Sequence, residues 1–426
     1  VGIQTSGTHW VDADTLDPSH ISARKGRLMD NRGAATVEAL IAKGVEIPNP
    51  STVDITDDVD PDLISAEGVV IHPGCRIRGS RTVISSGSIL GAETPMTIEN
   101  CRLGRNVELK GGFAQDAVFL DGASMGSGAH VRGGCLLEEQ ANGAHTVGLK
   151  QTILFPFVTL GSLINFCDAM LTGGTSRSDH SEVGSSYIHF NFTPDGDKTT
   201  ASLFGDVPRG VLLDQPPIFL GGQGGAVGPV RTGFGTVVGA GAVLRADVPD
   251  DGMLVLPEAP AGVNRPVETA SYRKLAAVLA KNITYLGNLS ALESWYRQVR
   301  RLFLTRLEYG DAILAGALDC LASARAERIK RLGRLIEKVR PDTPERQELV
   351  DNRAEFLATL TVADGPAPAH VIRKFGAASG DGMEYLDAIA TLNDEERHDI
   401  TAWLSAIVAE QHRTAAQTIP ALSAQF

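Results

Sequence analysis

The chain has 426 residues, with 43% hydrophobic and 21% charged side chains, the balance of an ordinary soluble globular protein with room for two or three domains. Its 51 acidic residues outnumber 39 basic ones, for a formal net charge of −12, which argues against nucleic acid as a partner because that polyanion rewards a basic face. No apolar run reaches the roughly 18 residues of a membrane span, and the opening VGIQTSGTHW lacks the basic-then-apolar order of a signal peptide. A cytoplasmic protein without membrane contact is the expectation.

Residues 1–62 read as an irregular polar segment with one short helix, whose face is Ala35, Val37, Leu40 and Ile41. Val45, Ile47 and Val53 look like first strands leading into a solenoid. From residue 63 to 256 the pattern changes. Ile71, Ile77, Val83 and Ile89 recur every six residues, and the beat returns at Leu103 and Leu109, at Met125, Val131 and Leu137, and at Thr232, Val238 and Leu244. One aliphatic per six residues, with small residues and glycines between, predicts a parallel β-helix of hexapeptide repeats. Period two would mark an ordinary sheet and period 3.6 a helix. The beat breaks between Leu171 and Ser186 and again between Thr193 and Gly225, where Pro and Gly density predicts projecting loops. Residues 257–268 form a Pro-rich linker. Residues 269–426 lose glycine and gain helical spacing, as in Leu314, Leu318, Leu321, Ile329, Leu332 and Ile336. The fold class is therefore mainly β, a parallel β-helix followed by an α-helical C-terminal domain, whose apolar stripes read as core and subunit contacts.

The five cysteines, Cys75, Cys101, Cys135, Cys167 and Cys320, are widely spaced and odd in number. No CxxC pair or Cys/His cluster has zinc spacing, so reduced buried thiols and no metal are expected.

Three stretches carry a resemblance to a known family, the acetyltransferase half of the bacterial bifunctional N-acetylglucosamine-1-phosphate uridyltransferase / glucosamine-1-phosphate N-acetyltransferase, of the hexapeptide-repeat superfamily. VRGGCLLEEQANGAHTVGLK resembles the family's stretch with an Arg and a Lys eighteen residues apart, here Arg132 and Lys150. HFNFTPDGDKTT resembles its Asn-Tyr-Asp-Gly…Lys loop, with Asn191 kept, Phe192 in place of Tyr, and Lys198 near the Lys. GPVRTGFGTVVGAGAVLRADV resembles its closing coils. The resemblance spans about residues 35–255 and implies a left-handed β-helix, a homotrimer with sites between subunits, and acetyl-CoA as co-substrate. It further implies that Arg132, Lys150, Asn191 and Lys198 hold a sugar-phosphate, with Glu182 at a further polar contact and Gly222 and Ala240 against the cofactor. A guanidinium fork and an ammonium suit a phosphate through charge-assisted hydrogen bonds.

The sequence also departs from the family. The catalytic His, a general base, falls at Ser162, whose hydroxyl lacks a pKa near the working pH. The Arg that meets the CoA phosphates falls at Pro257. No nucleotidyltransferase half is seen, so uridylyl transfer is not expected. His180 and His189, near Asn191 in sequence, are the candidate replacement bases, with His145 a further one. In the second insertion Arg209 is a candidate for a phosphate and Asp206 and Asp214 for an amine or hydroxyl, whereas Val211, Leu212 and Leu213 suggest a clamp on a neighbouring subunit. Gly221 to Gly225 reads either as an anion cradle or as corner glycines. Two functions fit: an acyltransferase acting on a sugar-phosphate or nucleotide-sugar such as UDP-N-acetylglucosamine, or a non-catalytic nucleotide-sugar binding or scaffold protein that has lost the base.

Overall fold

The computed structural model of the protein describes residues 33–256, 262–264, 266, 268–361 and 363–424. The segment expected to be irregular before residue 33 and most of the Pro-rich linker lie outside these. Parallel strands two to seven residues long build a three-faced prism in coils of about 18 residues, three hexapeptides each. The first face is a ten-stranded ladder from Val70–Ile71 to Leu254–Val255. The second runs from Asp54–Ile55 to Val243–Leu244. The third takes in Val83–Ile84, Arg102–Leu103, Ala117–Phe119 and Cys135–Leu137. Strands Gly148–Leu154 and Asn165–Leu171 run round the corner between second and third faces and join them into one sheet.

On the first face Leu90, Leu109, Met125, Leu160, Val183, Leu220 and Val238 point into the core, all nearly sealed from solvent. Each contributes roughly 1.5–3 kcal/mol of burial. The expected beat slips by one residue after Ile77, so that Ile84 and Leu90 point inward where Val83 and Ile89 were expected. The beat skips at Gly143 because the Met125 side chain already fills that space: a Cβ on Gly143 would sit 2.8 Å from Met125 Cε. Where second face turns into third, Asn100, Asp116, Gln151 and Asp168 take the left-handed backbone, with φ of 50°, 44°, 52° and 57°. Asn and Asp tolerate that region best among residues with a side chain.

The third face departs from the one-aliphatic pattern. Arg102, Val118 and Leu136 stand opposite one another in register, as do Leu136, Ile153 and Met170, and all are buried although their neighbours already fill the prism. The helix Gly310–Ile336 covers them. A strand buried on both sides reads as a continuous apolar run, which is why AVF, CLL and AML occur on this face. The helix follows the corner coil by coil. Asp319 meets Arg102 at 3.3 Å, Cys320 approaches the Cys135 carbonyl at 3.4 Å, Ser323 accepts from Gln151 Nε2 at 3.1 Å, and Arg328 pairs with Asp168 at 2.7 Å. A helix pitch near 5.4 Å against a strand spacing near 4.8 Å lets about one residue per turn meet each coil.

Before it comes helix Leu275–Trp295, which continues through a π-helical turn, Tyr296–Arg300, into Arg301–Leu304. The turn presents Tyr296 to Glu138 and Arg300 to Glu139, each contact at 2.5 Å. Further helices, chiefly Ala369–Gly380 and Asp394–Thr418, complete the domain. No described helix is long and apolar enough to cross a membrane.

Both breaks in the beat are projections. The first is a hairpin pairing Gly174–Ser176 with Asp179–His180 at the corner between third and first faces. The second holds the loop 193–200 and the short helix Val207–Gly210. Its expected clamp on a neighbouring subunit is instead a clamp on the chain's own helices. Asn288 accepts from the Val207 amide at 2.9 Å, and Arg397 bonds Asp214 and the Leu212 carbonyl at 2.8 and 3.2 Å. Val211 and Leu212 are buried there.

Candidate functional site

Strand register brings the two residues of the first matching stretch side by side. The Arg132 amide bonds the Leu149 carbonyl, and Lys150 stands opposite Cys167, so Arg132, Lys150 and Cys167 occupy successive coils at one end of the second face. Arg132 Nη2 lies 3.6 Å from Cys167 Sγ. Burial raises the Cys167 thiol, with Arg132 beside it pulling the other way. Arg132 is exposed and Lys150 half-buried, and among the described residues no carboxylate forms an ion pair with Arg132, Lys150 or Lys198. In a chain of net charge −12, cations held in no ion pair are candidates to receive an anion. A cleft of about 330 Å³ opens beside Lys150, walled by Gln151, Arg81 and Arg102 on the prism and by Gly316, Asp319 and Ser323 on the long helix.

The loop of the second stretch reaches the same corner. Asn191 Nδ2 donates to Asp168 Oδ2 at 3.3 Å, and Asp168 is the residue after Cys167. Lys198, with φ 58°, comes later on the loop, half-buried. Asn191, Lys150 and Arg132 therefore share one end of the second face. Glu182 does not join them: it projects from the first face between Thr159 and Phe219.

Gly222 and Ala240 fall elsewhere, in a column at the corner between first and second faces. Carrying the pairing of the first-face strands three residues on stacks His145, Ser162, Ser185, Gly222 and Ala240. The column is closely packed, since a Cβ on Gly222 would come within 2.8 Å of the Ser185 carbonyl. His145 Nδ1 lies 2.9 Å from Ser162 Oγ. An exposed imidazole thus sits one coil from the position where the family's base is expected. The seventeen residues separating it from Ser162 are about one coil, and that spacing was the available signal.

The two histidines favoured from sequence fare differently. His189 points into the prism, 1% exposed, with Nε2 2.6 Å from Ser202 Oγ and its ring packed edge-on against Phe166 and Phe204. Burial pushes it down to about 4, so it is neutral at pH 7 and out of reach of any substrate outside the prism. That corrects its assignment as base. His180 sits on the hairpin at the corner away from the second face, with Nδ1 against the Arg177 carbonyl at 2.9 Å. Within one chain it does not meet Lys150 or Asn191. Arg209 is also corrected: Asp206 and Asp251 hold its guanidinium at 2.7 and 2.5 Å over the Phe234 ring, leaving no free charge for a phosphate. Asp206 caps the short helix and Asp214 is paired with Arg397, so neither stands open for an amine. Pro257 lies outside the described residues. The described residues hold no cluster of three metal-ligating side chains. The larger cavity, about 630 Å³ between Arg105, Glu139, Arg300 and Glu384, contains none of the residues that the sequence singled out.

No family model matches the chain. It is similar to the bifunctional protein GlmU of Nostoc sp., 30% identical over 208 residues, which are 49% of this chain and 40% of that protein. GlmU of Thermotoga petrophila is 27% identical over 239 residues, 55% of this chain and 48% of the relative. GlmU of Rhodococcus jostii is 24% identical over 254 residues, 60% and 46% respectively. The chain spans less than half the length of the curated relatives it matches. With the coil architecture and the Arg132–Lys150 and Asn191–Lys198 stretches in place, the β-helix resembles the acetyltransferase half of the bifunctional protein GlmU.

Proposed function

We propose that this protein is an acyltransferase-like hexapeptide protein in which Arg132, Lys150, Asn191 and Lys198 bind a sugar-phosphate or nucleotide-sugar. The observation that carries the reading is the placement of Arg132 and Lys150 on adjacent coils, with no carboxylate ion pair among the described residues, beside Asn191. Acetyl-CoA would lie along the corner of Gly222 and Ala240, by resemblance to the family. In the reaction the sugar amine attacks the thioester carbonyl, a C–N bond forms, the C–S bond breaks, and the thiolate leaves. His145 accepts the proton shed by the amine, and returning one to the thiolate completes the cycle. Positioning two substrates in one groove supplies much of such a rate, and a placed base roughly 10²–10⁴-fold more.

A homotrimer and a cytoplasmic setting belong to the same proposal. Ile188 and Phe190 are exposed large apolar side chains on the second face, and Phe192 lies just beyond them. Phe190 continues the row of Arg132, Lys150 and Cys167 and stands opposite Val227. A contiguous apolar patch of this kind supports a subunit contact. A second reading, a non-catalytic nucleotide-sugar binding or scaffold protein, is favoured by Ser162 at the place of the family's imidazole. Calorimetry with acetyl-CoA and with glucosamine 1-phosphate, joined to a thiol-release assay, separates the two. Transfer that depends on His145 supports the enzyme; sugar-phosphate binding without acetyl-CoA binding supports the binder; binding of neither refutes both.

A further inference from the structure

Arg328 lies in the helical domain, beyond the stretch that carries the resemblance, yet its side chain ends beneath the candidate site. It is 2% exposed. Its Nη2 is 2.7 Å from Asp168 Oδ1, the other oxygen of that carboxylate accepts from Asn191 Nδ2 at 3.3 Å, and Nη1 is 3.5 Å from the Lys198 carbonyl. A single planar fork therefore ties one helix to two of the residues proposed to hold the sugar-phosphate. Lysine offers a single ammonium nitrogen in place of a planar fork whose two nitrogens each reach a different acceptor.

Two features give the tie consequence. Asp168 and Lys198 both stand at positive φ, 57° and 58°, a region costly for residues with a Cβ unless the surroundings hold it. Asp168 is also next in the chain to Cys167, which faces Lys150 across the ladder. Unpaired, its carboxylate would compete with the incoming anion for the cations of the site. Paired with Arg328, it leaves them free. The same loop is held by other groups of the helical domain: Tyr272 donates to Asp197 at 3.1 Å, the Ala270 amide donates to Asp195 at 2.9 Å, and Lys338 Nζ donates to the Asp195 carbonyl.

We infer that Arg328 is a positioning residue, through which the helical domain fixes Asn191 and Lys198 for a sugar-phosphate and neutralises Asp168 beside them. The identity of the ligand rests on the proposed function; the relay does not. The test uses the full chain, calorimetry with glucosamine 1-phosphate and separately with acetyl-CoA, and hydrogen exchange of the amides of residues 191–200. Arg328→Lys is expected to weaken glucosamine 1-phosphate about tenfold or more, the loss of one charge-assisted bond. Acetyl-CoA affinity stays within about twofold, since its proposed corner does not touch the loop. Exchange of residues 191–200 rises while Gly148–Leu154 stays protected. If Arg328→Lys does not fold, Arg328→Gln with Asp168→Asn removes both charges together. That pair leaves no carboxylate to compete for the cations and so tests the positioning alone, and unchanged exchange of residues 191–200 in it overturns the inference. Unchanged affinity and unchanged loop exchange overturn the inference, as does an equal loss for both ligands with protection lost everywhere. If the wild type binds no glucosamine 1-phosphate, the functional reading falls, and loop exchange alone decides whether Arg328 holds the loop.

Discussion

Replacing His189 by Gln tests the claim that this histidine is a core residue and not a base. Gln keeps a donor toward Ser202 Oγ but does not titrate. In the folded protein burial holds the imidazole down to about 4, against 6.5 when free. Between those values the unfolded chain takes a proton and the folded chain does not. The stabilising contribution is thus fully present above pH 6.5 and is lost as pH falls toward 4. At about 1.4 kcal/mol per unit, the loss sums to roughly 3 kcal/mol. Glu138 works in the opposite sense. Burial, opposed by Arg300, pushes it up to about 7 from 4.5. The folded chain then holds a proton that the unfolded chain has released, so its contribution grows as pH falls through 7 toward 4.5. The wild-type curve mixes both slopes, and the difference between wild type and His189→Gln isolates one of them. Urea midpoints at half-unit steps from pH 4 to 7.5 give that difference. It should change by about 3 kcal/mol across the window, with the wild type losing more on acidification, and acetyl transfer at pH 7.5 should survive the change. A pH-independent difference, or loss of transfer with the fold intact, refutes the reasoning.

Four further outcomes are expected. His145→Gln lowers acetyl transfer by roughly 10²–10⁴-fold while glucosamine 1-phosphate binding holds; equal transfer by both proteins would remove His145 from the mechanism. Lys150→Ala, which leaves no carboxylate unpaired, weakens that ligand about 10–100-fold in calorimetry, and the gap narrows at high salt. Leu136→Ala destabilises by about 2–5 kcal/mol in urea unfolding because its side chain is fully buried between prism and helix, whereas Phe219→Ala, exposed on the first face, costs under about 1 kcal/mol. Phe190→Asp, on the exposed apolar strip, shifts the protein to monomer in sedimentation; an unchanged oligomer would move the contact elsewhere.

The prism was readable because its physics is local. Each coil needs an inward aliphatic at a fixed beat and small or left-handed residues at corners. Ile71, Leu109 and Val238 report that without any partner, whereas Ile89 lies one residue short of the inward Leu90. The third face was readable only in retrospect. Val118, Leu136 and Met170 break the one-aliphatic rule because a helix some two hundred residues away in sequence covers them. The ion pairs were not legible at all: nothing in the sequence near Arg300 or Arg328 names Glu139 or Asp168. His189 shows the converse error. Closeness in sequence to Asn191 suggested a shared site, and alternation alone would put residues two apart on one side. The strand ends at Phe190, however, so the chain turns the corner, and Asn191 meets Asp168 outside while His189 faces Ser202 inside.

That division of faces bears on how the molecule works. A three-faced prism has only three places to put its outward side chains. The helical domain takes the third and seals it with apolar rows and buried ion pairs, so nothing diffusible reaches Val118 or Leu136. The first face presents a row running from Glu182 to Phe219, Val237 and Leu254. The second carries Arg132, Lys150 and Asn165 and then Ile188 and Phe190, so cations and exposed aromatics lie along one surface. Apolar groups exposed next to unpaired cations gain from a cover that excludes water yet admits an anion. A second copy of the chain against this face, as in the proposed trimer, would provide such a cover. The helical domain, by holding the 193–200 loop from behind, would keep that face in shape whether or not the copy is there.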